Sequence, residues 1–240
     1  MSMRLYLKNT ELFEGQIIEI SSPQHYNYLI NVLRSSVGYK LKVFNELYGE
    51  FLAEITSITK KTCFLKVDNI ARSIKIDHEQ TGLCLAFAII KPKRLEMLID
   101  MATQLGVKFF QPLISQNVTI HKLNYEKIEN WIIESTEQSN RISPPVVKPI
   151  MNIEDFLIKN SNNFIYANEK EQNSNFSSMF SQQTSPTNLL VGPEGGWTQE
   201  ELNLMKEYAG YSVTLGLNIL RAETAVAAII SQYSLMLSLK

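Results

Sequence analysis

Leu189-Leu190-Val191-Gly192-Pro193-Glu194-Gly195-Gly196-Trp197-Thr198 is the stretch on which the reading of this 240-residue chain turns. Three apolar residues in a row mark a strand covered on both faces, and the glycine-rich turn that ends it is stiffened by Pro193. Thr198 and Glu201 have the spacing of a capping box, which predicts a helix from there to about Ala209, with Gly210 just past its end. Beyond it, Ser212 to Leu215 reads as another strand, Gly216 to Arg221 as its exit loop, and Ala222 to about Leu239 as a terminal helix.

The same rhythm extends upstream. Leu83 to Ile90 is a continuous apolar run broken by Pro92, and Leu95, Leu98, Ile99, Ala102 and Leu105 form one stripe of a following helix. Phe109 to Ile114 reads as a strand, Tyr125 to Asn140 as a helix stopped by Pro144-Pro145, and Phe164-Ile165-Tyr166 as a strand. A Ser/Asn/Gln-rich segment, Glu169 to Thr187, reads as a loop. Such alternation implies a mostly parallel α/β sheet. The first 75 residues differ: short alternating segments such as Lys40 to Phe44 and Phe51 to Ile55 make a β-rich unit, with one helix expected from Pro23 to Leu33. The polar stretch Arg72 to Gly82 separates the two, so domains are expected at residues 1–75 and 76–240.

Composition narrows the classes. A net charge of −1 argues against broad, nonspecific affinity for nucleic acid, although residues 1–75 carry ten Lys/Arg against seven Asp/Glu and tilt positive. Cys63 and Cys84 sit inside apolar runs and the three histidines, His25, His78 and His121, are scattered, so neither a disulfide nor a metal site is expected. With no apolar run of about 18 residues and no signal-peptide pattern at the start, no membrane association is expected and the location is read as cytoplasmic. No Gly-x-Gly-x-x-Gly follows the first α/β strand, which argues against a Rossmann dinucleotide enzyme.

Open α/β sheets bind ligands where loops leave the carboxyl ends of their strands. Gly192 to Gly196 is one such loop; Leu215-Gly216-Leu217-Asn218-Ile219-Leu220-Arg221 is a second. Leu217, Ile219 and Leu220 can enclose a flat, neutral ring while backbone groups fix its edge. The alternative assigns Ile219 and Leu220 to the core and Arg221 to a salt bridge with Glu223.

Together the two loops, with Ala222-Glu223-Thr224-Ala225 after the second, strongly resemble the RsmE family of small-subunit rRNA uracil-N3 methyltransferases, of the SPOUT class. Lys93-Arg94 and Glu96, Gln104 to Val107, Glu137-Gln138-Ser139 with Arg141, and His25, Val32-Leu33-Arg34 and Gly38 agree with it over essentially the whole chain. The resemblance implies an N-terminal PUA-like β-barrel and a C-terminal SPOUT α/β domain threaded into a deep trefoil knot. It also implies S-adenosylmethionine as cofactor, held by Leu190, Gly192, Pro193, Glu194, Gly195, Leu215, Gly216, Leu217, Ile219 and Leu220. A homodimer acting on 16S rRNA, in the assembled small subunit, follows from the same likeness. Arg4, His25, Arg34, Lys91, Lys93, Arg94 and Arg141 are the candidate RNA contacts. The chain departs from the family at Tyr39, at Glu46-Leu47-Tyr48, at Ala222, and in lacking an arginine near Gln116-Asn117.

Chemistry assigns the roles. Uracil N3 becomes nucleophilic only as its imino proton leaves and negative charge spreads onto the flanking carbonyl oxygens, so a proton acceptor and a cationic stabiliser are needed. Arg221 is the expected stabiliser and Glu223 or Glu194 the base; no metal or nucleophilic residue is required. Two alternatives remain open: a SPOUT enzyme acting on a ribose 2′-hydroxyl or on tRNA, and an inactive RNA-binding assembly factor.

Overall fold

The computed structural model describes residues 3–74, 82–171, 176 and 187–238. The chain divides into two compact units, Met1–His78 with Thr136–Ser143, and Glu79–Ser135 with Pro144–Lys240. The expected boundary between residues 75 and 76 therefore needs one correction: Thr136–Ser143 belongs with the first unit. The reason is polar. The backbone N–H of Tyr6 donates to Glu137 Oε1 at 2.7 Å, and the Arg4 guanidinium donates to the carbonyls of Thr136, Glu137 and Arg141.

The first unit holds β1 (Arg4–Tyr6), β2 (Ile17–Ile20), β3 (Lys40–Asn45), β4 (Gly49–Ile58) and β5 (Cys63–Arg72) in a sheet of order β1-β3-β4-β5-β2. All its pairs are antiparallel except β1 with β3. Register shifts between β4 and β5 bend these ten-residue strands. Alternate residues, among them Leu41, Val43, Ala53, Ile55, Leu65 and Val67, point into one apolar core. The expected single helix from Pro23 to Leu33 is instead α1 (Pro23–Tyr26) running into a π-helix, Asn27–Val32. Wider coiling, with Leu33 N–H donating to Tyr28 O at 2.9 Å, breaks the 3.6-residue stripe: Leu29 is buried and Leu33 is exposed.

In the second unit, β6 (Cys84–Ala88), β7 (Phe109–Ile114), β8 (Val146–Val147), β9 (Met151–Asn152), β10 (Phe164–Ala167), β11 (Asn188–Val191) and β12 (Tyr211–Val213) form one sheet of order β12-β10-β11-β6-β7-β8, with β9 also on β7. Every pair is parallel. Strict alternation sends Leu85, Phe87, Ile165, Leu189 and Val191 to one core, and Ala86, Ala88, Phe164, Tyr166 and Leu190 to the other. On the first face pack α2 (Pro92–Gln104), α3 (Tyr125–Gln138) and α6 (Ala222–Ser238); on the second pack α4 (Ile153–Lys159) and α5 (Gln199–Glu207). Each fully buried Leu, Ile or Phe in such a layer contributes about 1.5–3 kcal/mol.

The capping box is present: the Glu201 backbone N–H donates to Thr198 Oγ1 at 3.2 Å, and Thr198 N–H donates to Glu201 Oε2 at 2.9 Å. Helix α2 starts three residues earlier than its apolar stripe indicates, because Pro92 takes the first turn, where its missing N–H costs nothing. The short elements β8, β9 and α4 had no counterpart in the sequence reading. Most of the expected linker, and most of the expected loop before β11 (172–175 and 177–186), lie outside the described residues.

Candidate active site

Because β10 sits between β12 and β11, the exits of these three strands are neighbours, and residues 168–170, 192–198 and 214–221 meet at one edge of the sheet. They enclose a cavity of about 240 Å³. Its apolar wall comes from Val191, Leu215, Ile219, Leu220 and Ala225; Glu169, Lys170, Glu194, Arg94 and Arg221 bring charge of both signs.

Local bonds hold the glycine turn. Trp197 Nε1 donates to the Ala167 carbonyl at 3.1 Å, tying the β11 exit to the β10 exit. A Cβ on Gly192 would lie 2.9 Å from the Trp197 ring, so only glycine leaves room for that indole. Asn117 Nδ2 donates to the carbonyls of Gly195 at 3.3 Å and Gly196 at 2.9 Å, strapping the turn from the far side. Buried Glu201 accepts a further hydrogen bond from the Gln116 N–H at 2.8 Å. At the second turn, Gly216 has φ +139, a conformation that L side chains rarely adopt. Asn168 links β10 to β12, its N–H donating to Val213 O at 2.9 Å and its Nδ2 to Ser212 Oγ at 3.2 Å.

Of the residues expected to hold the cofactor, Gly192, Pro193, Glu194, Leu215, Gly216, Ile219 and Leu220 line this cavity, as does Arg221. Four expected site residues do not. Leu190 faces the second core, since strand alternation turns it away from Val191. Leu217 is fully exposed, and the carbonyl of Gly195 is taken by Asn117. Glu223 is 4 % exposed in the first turn of α6, where a carboxylate complements the helix dipole, and its Oε2 has no hydrogen-bond partner among the described residues. The alternative salt bridge from Arg221 to Glu223 is not formed among the described residues. Glu194 instead meets Arg94 at 3.6 Å, with the Lys91 N–H 3.5 Å from Glu194 Oε1.

Among the expected RNA contacts, Lys91 and Lys93 are exposed at the start of α2, and Arg94 turns out to line the cavity. Arg34 is exposed at φ 53, and Arg141 is half-buried. Burial of the half-buried His25 lowers its pKa below 6.5, which disfavours the imidazolium. Arg4 requires correction. It is 9 % exposed, its Nε lies 2.6 Å from Glu50 Oε1, its other nitrogens are spent on three carbonyls, and it stacks over Phe44 at 4.0 Å. Four of its five N–H donors are thus spent inside the protein, which makes it a structural cation in place of an exposed phosphate contact. Sequence reasoning missed Trp197, Thr214 and residues 167–170 as lining residues. Trp197 stood in the quoted motif; the others depend on strand order.

A cavity of this kind, with backbone turns at the carboxyl edge of a parallel sheet, an apolar wall and both carboxylates and cations, suits a flat heterocycle attached to a zwitterionic tail. Residues 77–234 match the RNA methyltransferase domain family and residues 22–68 match the RNA methyltransferase PUA domain family. Fold and site are thus those of an RNA methyltransferase. The chain is 41% identical over 236 residues to ribosomal RNA small subunit methyltransferase E of Rickettsia conorii, covering 97% of this chain and 95% of the relative. Its fold is similar to that of a Legionella pneumophila methyltransferase solved with bound S-adenosylmethionine, with TM-score 0.85, 26% identity and 98% of each chain covered. It is similar also to ribosomal RNA small subunit methyltransferase E from Neisseria gonorrhoeae bound to S-adenosylmethionine, with TM-score 0.82, 25% identity and coverage of 100% and 98%. The chain belongs to the ribosomal RNA small subunit methyltransferase E, or RsmE, family.

Proposed function

We propose that this protein transfers a methyl group from S-adenosylmethionine to N3 of one uridine in 16S rRNA, acting as a cytoplasmic homodimer on the assembled small subunit. The knotted threading of the C-terminal unit belongs to the same proposal. The observation that carries the chemistry is the convergence of the β10, β11 and β12 exits on one cavity whose wall is apolar and whose rim carries Glu169, Glu194, Arg94 and Arg221.

These residues fit the cofactor. Leu215, Leu220 and the backbone of the two glycine turns suit an adenine ring, while Glu169 and Glu194 oppose positive charge and Lys170 a carboxylate. When bound, S-adenosylmethionine supplies a methyl group already activated by a sulfonium leaving group, so the protein's own work is alignment and charge control. Glu194, which lines the cavity, accepts the N3 proton; Glu223, buried beside the cavity, stabilises the start of α6. The exposed Arg221 guanidinium stands at the rim, where the uracil carbonyl oxygens gain negative charge.

Primer extension across 16S rRNA from a deletion strain tests the reading, because an N3 methyl group blocks base pairing and its loss removes one stop. Nucleoside mass spectrometry finding the missing methyl on a ribose 2′-hydroxyl or in tRNA would replace the proposed target. Calorimetry showing no binding of S-adenosylmethionine would make the protein an assembly factor.

A further inference from the structure

A second cavity lies wholly within the first unit and shares no lining residue with the first. It measures about 360 Å³ and is lined by Tyr28, Tyr39, Lys42, Gln138 and Asn140, over a floor formed by Arg4. Three properties mark it as a built site. First, the hydroxyls of Tyr28 and Tyr39 and the side-chain amides of Gln138 and Asn140 make no hydrogen bond among the described residues, so their hydrogen-bonding capacity is open. Glu137, also on the wall, is already engaged by the Tyr6 N–H at 2.7 Å. Second, two cations line it, Arg4 and Lys42, held in place by the Glu50 carboxylate at 2.6 and 3.0 Å. Third, Tyr28 is delivered by the π-helix Asn27–Val32, a rare geometry that recurs at functional sites, and the next turn ends at Arg34 in the left-handed region.

Aromatic faces, amides with free donors and acceptors, and positioned cations are together the chemistry that recognises an unstacked nucleotide. We propose that this cleft holds a single unpaired nucleotide of the RNA substrate, its base against the tyrosine rings and its edge read by Gln138 and Asn140, with Lys42 near the phosphate. The inference rests on RNA being the substrate, as proposed above. Such a site anchors the RNA at a point other than the base that is methylated, and gives the first unit a specific role in choosing the target.

Fluorescence anisotropy with a labelled single-stranded oligoribonucleotide of about ten nucleotides tests it on the full-length protein. Tyr28→Ala and Gln138→Ala are each expected to weaken binding, the former by about tenfold, while Tyr28→Phe, which keeps the ring, stays within about twofold of the parent. Binding of S-adenosylmethionine by calorimetry is expected to be unchanged in all three variants. Unchanged RNA affinity in Tyr28→Ala and Gln138→Ala overturns the proposal; should Tyr28→Ala not fold, the exposed Gln138 decides it alone. A parent protein that binds the oligonucleotide through the cleft but methylates no RNA would refute the proposed reaction and leave the cleft standing. A parent that methylates RNA with a KM untouched by Gln138→Ala and Tyr28→Ala would do the reverse.

Discussion

Two residues, Arg4 and Arg221, show how differently the same guanidinium can be used. Arg221 is exposed at the cavity rim, so Arg221→Ala is expected to lower kcat by about a hundredfold, the scale of losing one transition-state donor, with little change in cofactor affinity. Single-turnover kinetics beside calorimetry check this, and an unaltered rate removes Arg221 from the mechanism. Arg4 is buried against Glu50. Burial alone raises the Glu50 carboxyl, but hydrogen bonds from Arg4 and Lys42, and their charges, outweigh it and hold the group below its ordinary value of 4.5. Since the folded value is the depressed one, this stabilisation is present above about pH 4.5 and is lost as pH falls through the folded value. His25, lowered below 6.5, adds a loss in the same direction at higher pH, because the unfolded chain takes up that proton first. Glu50→Gln is therefore expected to destabilise the protein by about 3 kcal/mol at neutral pH, by leaving Arg4 buried and uncompensated, and to flatten the acid limb. Urea melts at several pH values measure both.

At the scale of elements, the active-site turn is held by its neighbours more than by itself. Gly192→Ala would drive a Cβ to 2.9 Å from the Trp197 ring, and that ring is pinned by its bond to Ala167. Overpacking of this kind costs about 1–3 kcal/mol, so a loss of cofactor affinity of about tenfold is expected by calorimetry. The helix that follows is anchored twice by Glu201, once in the capping box and once on the Gln116 N–H. Thr198→Ala should cost about 1 kcal/mol of stability, an ordinary N-cap loss. Glu201→Ala is expected to cost more, because two part-buried amides lose their acceptor, and thermal melting of the two variants ranks them.

The whole molecule joins a mostly antiparallel β-unit to an all-parallel α/β unit, and RNA binding is expected to draw on both. Lys91, Lys93 and Arg94 sit at the start of α2, with Arg94 reaching the cavity, while Arg34 is exposed in the first unit. Replacing Lys91, Lys93 and Arg94 together with glutamine should reduce the slope of log affinity against log salt by about 2, at roughly 0.7–0.9 per phosphate contact. A salt titration with an unchanged slope would show that these cations meet no phosphate.

Most of the second unit was legible in the chain because its signals are local. Continuous apolar runs announce doubly covered strands, Pro92 and the Thr198-Glu201 pair announce helix starts, and the motif from Gly192 to Trp197 announces a ligand turn. The expected residues that line the cavity, such as Gly192, Pro193, Leu215 and Arg221, are those whose place follows from being at a strand exit. What the tertiary structure alone decided is everything that depends on which strand lies beside which. The order β12-β10-β11 brings residues 167–170 to the cavity, and strand pleat turns Leu190 out of it. Packing separates the buried Glu223 from the rim carboxylate Glu194, although both stood equally well in the sequence. Long-range polar contacts return Thr136–Ser143 to the first unit and convert Arg4 from a surface charge into an internal one. Periodicity and capping act over a few residues and are written in the chain; sheet order, an ion pair 46 residues apart and a guanidinium–carbonyl hydrogen bond 132 residues apart exist only once it has folded.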